Sequence, residues 1–124
     1  MTDIFQEDFR DFLKALNGQD VKYIMVGGMA VILHGHARVT GDMDIWVERS
    51  PENYKKLVRS FRQFGMPLFD MTEEKFLNVA ETDVFSFGRN PVGIDIMTAV
   101  KGLDFDETYS LSAIYDDDGL PIRM

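Results

Sequence analysis

Residues 42–48 read DMDIWVE, and the alternation of carboxylates with apolar side chains leaves one regular backbone able to sort them. On a β-strand successive side chains point to opposite faces, so Met43, Ile45 and Val47 share one face while Asp42, Asp44 and Trp46 share the other. Such a strand has an apolar face that demands a core. Its other face sets two carboxylates about 7 Å apart at the backbone, close enough for their oxygens to come within roughly 4 Å of each other. At an effective dielectric of ~20 that approach costs on the order of 4 kcal/mol. The pair therefore needs a cation, a shared proton or open water.

Flanking segments supply the layers for that core. In TDIFQEDFRDFLKALNG, Ile4, Phe5, Phe9, Phe12, Leu13 and Leu16 fall at helical spacing, with Asp3 as N-cap, Gln6 completing a capping box, and Asn17 and Gly18 ending the helix. VKYIMV is β-branched and apolar, and reads as a strand buried on both faces that ends at Gly27 and Gly28. A short helix is expected over GMAVILH. In SPENYKKLVRSFRQFG, Ser50 caps, Pro51 takes the first helical position, and Tyr54, Leu57, Val58, Phe61 and Phe64 form the buried stripe. TEEKFLNV reads as a short helix capped by Thr72, and TDVFSFG and VGIDIMTAV as two strands of a hairpin joined through RNP. LDFDETYS reads as a loop or helical turn, and AIYDDDGLPIRM as a hairpin turning at Asp118 and Gly119. This order predicts an α+β (or α/β) fold in which helices flank a mixed β-sheet.

At 124 residues and 45% hydrophobic content, the chain is expected to form a single domain over 1–124. No apolar run approaches the ~20 residues of a membrane span, and MTDIFQEDFR lacks the order of a signal peptide. The expectation is a cytoplasmic protein with no membrane association. With no cysteine, disulfides, thiolate zinc sites and thiol nucleophiles are excluded. A net charge of −8 disfavours broad electrostatic capture of nucleic acid, so any phosphate chemistry must rest on a metal or a few placed cations.

Mg²⁺ suits the Asp42/Asp44 pair, because it takes one or two carboxylates and completes its octahedron with water and phosphate oxygens. A third carboxylate makes room for two ions, and Asp95, between Ile94 and Ile96, is the natural candidate. Gly27 and Gly28, between a strand and a helix start, suit backbone N–H contacts to a phosphate. Arg38 and Arg89 are further candidate phosphate contacts, with Lys22 and Lys101 behind them. Each feature has a structural alternative. Gly-Gly also makes a tight turn, the aspartate pair also suits a solvated edge strand, and arginines more often serve in surface ion pairs. His34 and His36 straddle a helix end rather than share a face, which argues against a zinc site. DDDG near Asp116 lacks the spacing and later glutamate of a calcium loop and reads as a solvated turn.

Taken together, Gly-Gly at a helix start, Asp-x-Asp in an apolar strand and a later Asp between isoleucines resemble the DNA polymerase beta-type nucleotidyltransferase superfamily. The strings VGGMAVILHGHARVTGDMDIWVERSPENYKKL and FGRNPVGIDIMTAVKGLDFDE are similar to small bacterial nucleotidyltransferase-like proteins related to abortive-infection toxins. The resemblance implies a nucleotidyltransferase-like fold in which Gly27 and Gly28, with Arg38, bind a nucleoside triphosphate. It implies that Asp42, Asp44 and Asp95 hold Mg²⁺ or Mn²⁺ and carry catalysis. The implied reaction transfers a nucleoside monophosphate to a hydroxyl on an unidentified acceptor (tRNA, protein or small molecule), in a toxin-antitoxin setting where a cognate antitoxin or a second copy is the partner. It also implies an alternative, a catalytically inactive nucleotide-binding or protein-interaction module with the same fold. Relatives commonly continue beyond the position of Pro121 into a further helix, and this chain stops at Met124.

Overall fold

The fold is that of a computed structural model, which describes residues 4–26, 42–78, 83–89, 92–117 and 119–124. In chain order the elements are α1 (Ile4–Gly18), β1 (Tyr23–Val26), β2 (Asp42–Val47), α2 (Pro51–Phe64), α3 (Glu73–Leu77), β3 (Val84–Arg89), β4 (Val92–Met97), α4 (Phe105–Leu111), β5 (Ile114–Asp117) and β6 (Leu120–Arg123). Four strands form a mixed sheet in the order β1-β2-β4-β3, and β5 and β6 form a separate two-stranded ribbon. The expected α+β class holds. The helix expected over GMAVILH falls outside the described residues.

Within the main sheet, β2 runs antiparallel to β1 and parallel to β4, and β4 runs antiparallel to β3. Facing partners share a side of the sheet, so the register sorts the side chains. On one side lie Tyr23 and Met25, then Met43, Ile45 and Val47, then Ile94 and Ile96, then Phe85 and Phe87. All nine are buried in one cluster with Phe9, Phe12, Leu13 and Leu16 of α1 and Leu57 and Phe61 of α2. The rings interlock edge to face, with centroids 5.6 Å apart for Phe12 and Phe61 and 4.8 Å for Phe61 and Phe87.

Helix α2 forms where local chemistry dictates. The Ser50 hydroxyl accepts the Asn53 N–H, Pro51 occupies the first turn, and Gly65 ends the helix with φ of 88°. Its buried stripe is less uniformly apolar than the spacing implies. Leu57 and Phe61 are buried and Tyr54 and Phe64 partly so, but Asn53 and Ser60 are buried beside them. The Ser60 hydroxyl is shared between the Lys56 carbonyl of its own helix at 3.0 Å and the Ala15 carbonyl of α1 at 3.2 Å. Asn53 accepts the Lys22 N–H at 2.8 Å and donates to the Lys22 and Glu48 carbonyls at 3.1 and 2.9 Å. One amide thus pins the start of β1 to the end of β2.

Thr72 caps α3 as its position predicts. The segment read as a loop or helical turn is the helix α4, capped by Asp104, whose carboxylate accepts the Glu107 N–H at 3.0 Å. The C-terminal hairpin also forms, and its Leu120 and Ile122 join the main core. The strand read over 92–100 ends at Met97, and that read over 21–26 begins at Tyr23. No helix among the described residues is long and apolar enough to cross a membrane.

Candidate functional site

The opposite side of the sheet carries the carboxylates. Parallel pairing sets Asp44 directly across from Asp95 and Asp42 across from Gly93. Neighbouring strands are about 4.8 Å apart, so Asp44 and Asp95 sit nearer to each other at the backbone than two alternate residues on one strand can. Both are half-buried. The three aspartates singled out from sequence therefore lie at adjacent register positions on one sheet face. Gly93 in the fourth position adds no side chain to that quartet.

Where β1 ends matters to this site. Val26, its last residue, pairs with Asp44. Gly27, Gly28, Arg38, His34, His36 and Thr40 themselves lie outside the described residues. Arg89 closes β3 opposite Val92. Lys22 and Lys101 lie beyond the other ends of the strands, away from Asp42. Lys22 forms an exposed ion pair with Glu48 at 3.6 Å and lies over the Tyr109 ring at 5.9 Å. Neither lysine joins the carboxylates. Near the ribbon turn, the Asp116 carboxylate accepts the Gly119 N–H at 3.3 Å in an exposed hairpin, in keeping with a solvated turn.

Two further residues complete this face, Ser86, which the sequence did not single out, and Trp46, which alternation in 42–48 already places there. Ser86 lies across from Asp95 on the β3 side, which puts a hydroxyl-bearing residue next in line after the two carboxylates. Its signal was the S in TDVFSFG, legible only once the strand pairing is known. Trp46, two residues beyond Asp44 on the same face, is buried against Phe105 of α4, with centroids 5.2 Å apart and rings at 89°. Past it, at the ends of β2 and β4, opens a groove of about 780 Å³ lined by Lys22, Trp46, Glu48, Arg49, Thr98 and Phe105 among others. The Trp46 Nε1 and Thr98 Oγ1 atoms beneath it are buried with no hydrogen-bond partner among the described residues.

Carboxylate oxygens are the donors that hard divalent cations take, and the facing pair Asp44 and Asp95 fits Mg²⁺ or Mn²⁺ in chemistry. Among the described residues no three His, Cys, Asp or Glu side chains gather into a metal-binding group, and the Asp42 side chain lies outside that description. Asp44 of β2 and Asp95 of β4, with Asp42 at the adjacent register position, are the candidates for holding such an ion. No family model, no curated protein and no solved structure matches the chain.

Proposed function

We propose that this chain is a Mg²⁺- or Mn²⁺-dependent nucleotidyltransferase that moves a nucleoside monophosphate from a nucleoside triphosphate onto an acceptor hydroxyl. One observation carries the reading: the parallel register that places Asp44 opposite Asp95, beside Asp42 on the same face. A solvated edge strand has no need of that coincidence, since β2 and β4 are the two central strands of the sheet. The resemblance of the sequence around these residues to nucleotidyltransferases supports the same reading.

Under it, Gly27 and Gly28 follow directly on Val26, the partner of Asp44, and offer backbone N–H groups to the phosphates. Arg38 adds a cation for the same phosphates. Asp42, Asp44 and Asp95 hold the divalent ions, which when bound neutralise phosphate charge and lower the pKa of the acceptor hydroxyl. Asp95 orients that hydroxyl and takes its proton. The acceptor oxygen then bonds to the α-phosphorus as the bond to the bridging oxygen breaks and pyrophosphate leaves. Fixing the two reactants in line is the main service of the sheet face. The acceptor is a tRNA, a protein or a small molecule, and a cognate antitoxin or a second copy is the expected protein partner.

The test is transfer of radiolabel from α-labelled nucleoside triphosphates to a cell extract with Mg²⁺. Labelling by the native chain that is lost in Asp44→Asn supports the assignment. Equal labelling by both proteins removes it. If nucleotide and Mg²⁺ raise the melting temperature while no acceptor is labelled, the chain is instead an inactive nucleotide-binding module.

A further inference from the structure

Strand β3 is an edge of the main sheet, and its hydrogen bonding shows which of its backbone groups remain available. The Thr98 N–H donates to the Asp83 carbonyl at 2.9 Å, so residue 83 turns its polar groups inward toward β4. Alternation along an antiparallel ladder then turns Phe85 and Phe87 inward as well, and Val84 and Ser86 outward, as far as Gly88, which leaves extended backbone with a φ of 82°. Asp83, Val84, Ser86 and Gly88 are exposed, in keeping with an uncovered edge. Neither proline nor lysine, two residues that commonly blunt sheet edges, occurs in β3.

Beside this edge stands Phe69, 70% exposed with a φ of 49° and tilted against Phe87 at 6.3 Å. Hollows flank it on both sides. One, of about 180 Å³, reaches along Val84, Phe85 and Ser86, and the other, of about 410 Å³, along Ser86, Phe87 and Gly88. Among the described residues no strand pairs with this edge, and the exposed Phe69 ring stands beside it.

We propose that β3 pairs antiparallel with the β3 of a second copy of this chain, about a two-fold axis through Ser86. The sequence of the strand favours that occupant and that register. With Ser86 opposite its own symmetry mate, Val84 meets Gly88, Phe85 meets Phe87, and Asp83 meets Arg89 at both ends. Ser86 then faces the outward-turned Ser86 of the other copy, as the ladder requires. Val84 lies across from the one strand residue with no side chain. A shift of the axis to Phe85 or Phe87 puts Asp83 opposite Phe87, or Arg89 opposite Phe85, and forfeits both charge pairs. A closed two-fold contact uses up the edge on each copy and ends growth there. The result is one continuous eight-stranded sheet. Asp95, Ser86, the partner copy's Ser86 and its Asp95 form a row across it, three strand spacings or about 14 Å from carboxylate to carboxylate.

Sedimentation velocity of the 124-residue chain over a range of concentrations tests this directly. The native chain is expected to be dimeric. Ser86→Pro removes an outward N–H and none of the bonds to β4, so it is expected to keep a native circular-dichroism spectrum and sediment as a monomer. Asp83→Arg and Arg89→Asp each set like charges opposite one another and are expected to weaken the dimer about tenfold or more. An equimolar mixture of those two variants restores both opposite-charge pairs and is expected to regain the dimer. A native chain that is monomeric throughout overturns the proposal. So does a dimer indifferent to Ser86→Pro and to both charge reversals, or a mixture that remains monomeric.

Discussion

Replacing Asn53 by alanine tests the most concentrated polar contact in the fold. The side chain is 2% exposed and makes three hydrogen bonds to the backbone of Lys22 and Glu48. The three are unequal. The Lys22 carbonyl also receives the Glu48 N–H at 3.1 Å, and the Glu48 carbonyl receives the Ser50 N–H at 3.2 Å, so both acceptors keep a partner after truncation. Only the Lys22 N–H is stranded, at about 1–3 kcal/mol, and the two lost acceptor contacts add roughly 0.5 kcal/mol each or more. The expected loss is about 2–4 kcal/mol, which for a chain of this size lowers the melting temperature by roughly 8–16 °C. Urea unfolding followed by circular dichroism measures it. Asn53→Asp is the informative control. It keeps the acceptor for Lys22 but presents a carboxylate to two carbonyls, so it is expected to be at least as damaging as alanine at neutral pH. The carbonyls raise the folded-state pKa of the new carboxyl, so its stability recovers as pH falls and the group regains a proton to donate. An alanine variant within about 0.5 kcal/mol of native, or an aspartate variant as stable as native at pH 7, refutes the view that this amide holds β1 and β2 together.

Two further perturbations follow from single groups. Gly65 ends α2 at φ of 88°, and a Cβ there meets nothing within 4 Å, so Gly65→Ala isolates backbone strain and is expected to cost about 1 kcal/mol by thermal melting, with Asn in that position milder than Ala. Burial raises the Tyr23 pKa, opposed in part by Arg123, and its hydroxyl donates to the Asn17 side-chain oxygen at 3.0 Å. Because the folded pKa lies above the unfolded value, the contribution of Tyr23 is fully present below the unfolded pKa and is lost as pH rises through the folded one. Tyr23→Phe is therefore expected to be less stable than native at pH 8 yet to lose less between pH 8 and 11, read from urea midpoints; parallel declines in the two proteins contradict this.

The parts of the fold legible in sequence are those written in neighbouring residues. Ser50 before Pro51 announces the start of α2, and alternation in 42–48 announces β2 and the sorting of its faces. Asp104 capping a polar heptad was ambiguous, because FDETYSL buries no residue fully and so shows no apolar stripe. Strand order was beyond reach for a different reason. Nothing near Asp44 states that its parallel neighbour is Asp95 rather than any other strand residue, since that choice is made by the packing of the Ile45 and Ile96 face on α1 and α2. The three aspartates could be named as candidates from their spacing, whereas Ser86 beside them could not. Asn53 and Ser60 are absent from the stripe read for α2, because Lys22, Glu48 and Ala15, which they reach, lie outside that helix.

The parallel pairing of β2 with β4 also bears on when the carboxylate face comes into being. Its two halves are made at different times, because Asp42 and Asp44 leave the ribosome long before Asp95, with all of α2, α3 and β3 emerging between them. A parallel pair of this kind closes a long loop before it gains any contact, which makes it a late and slow event in folding. A growing chain up to the end of β3 can gather α1, β1, β2 and α2 around a partial core and still lack the face on which Asp44 meets Asp95. Whatever chemistry that face performs is withheld from the chain during synthesis and begins only once β4 has slotted between its two neighbours.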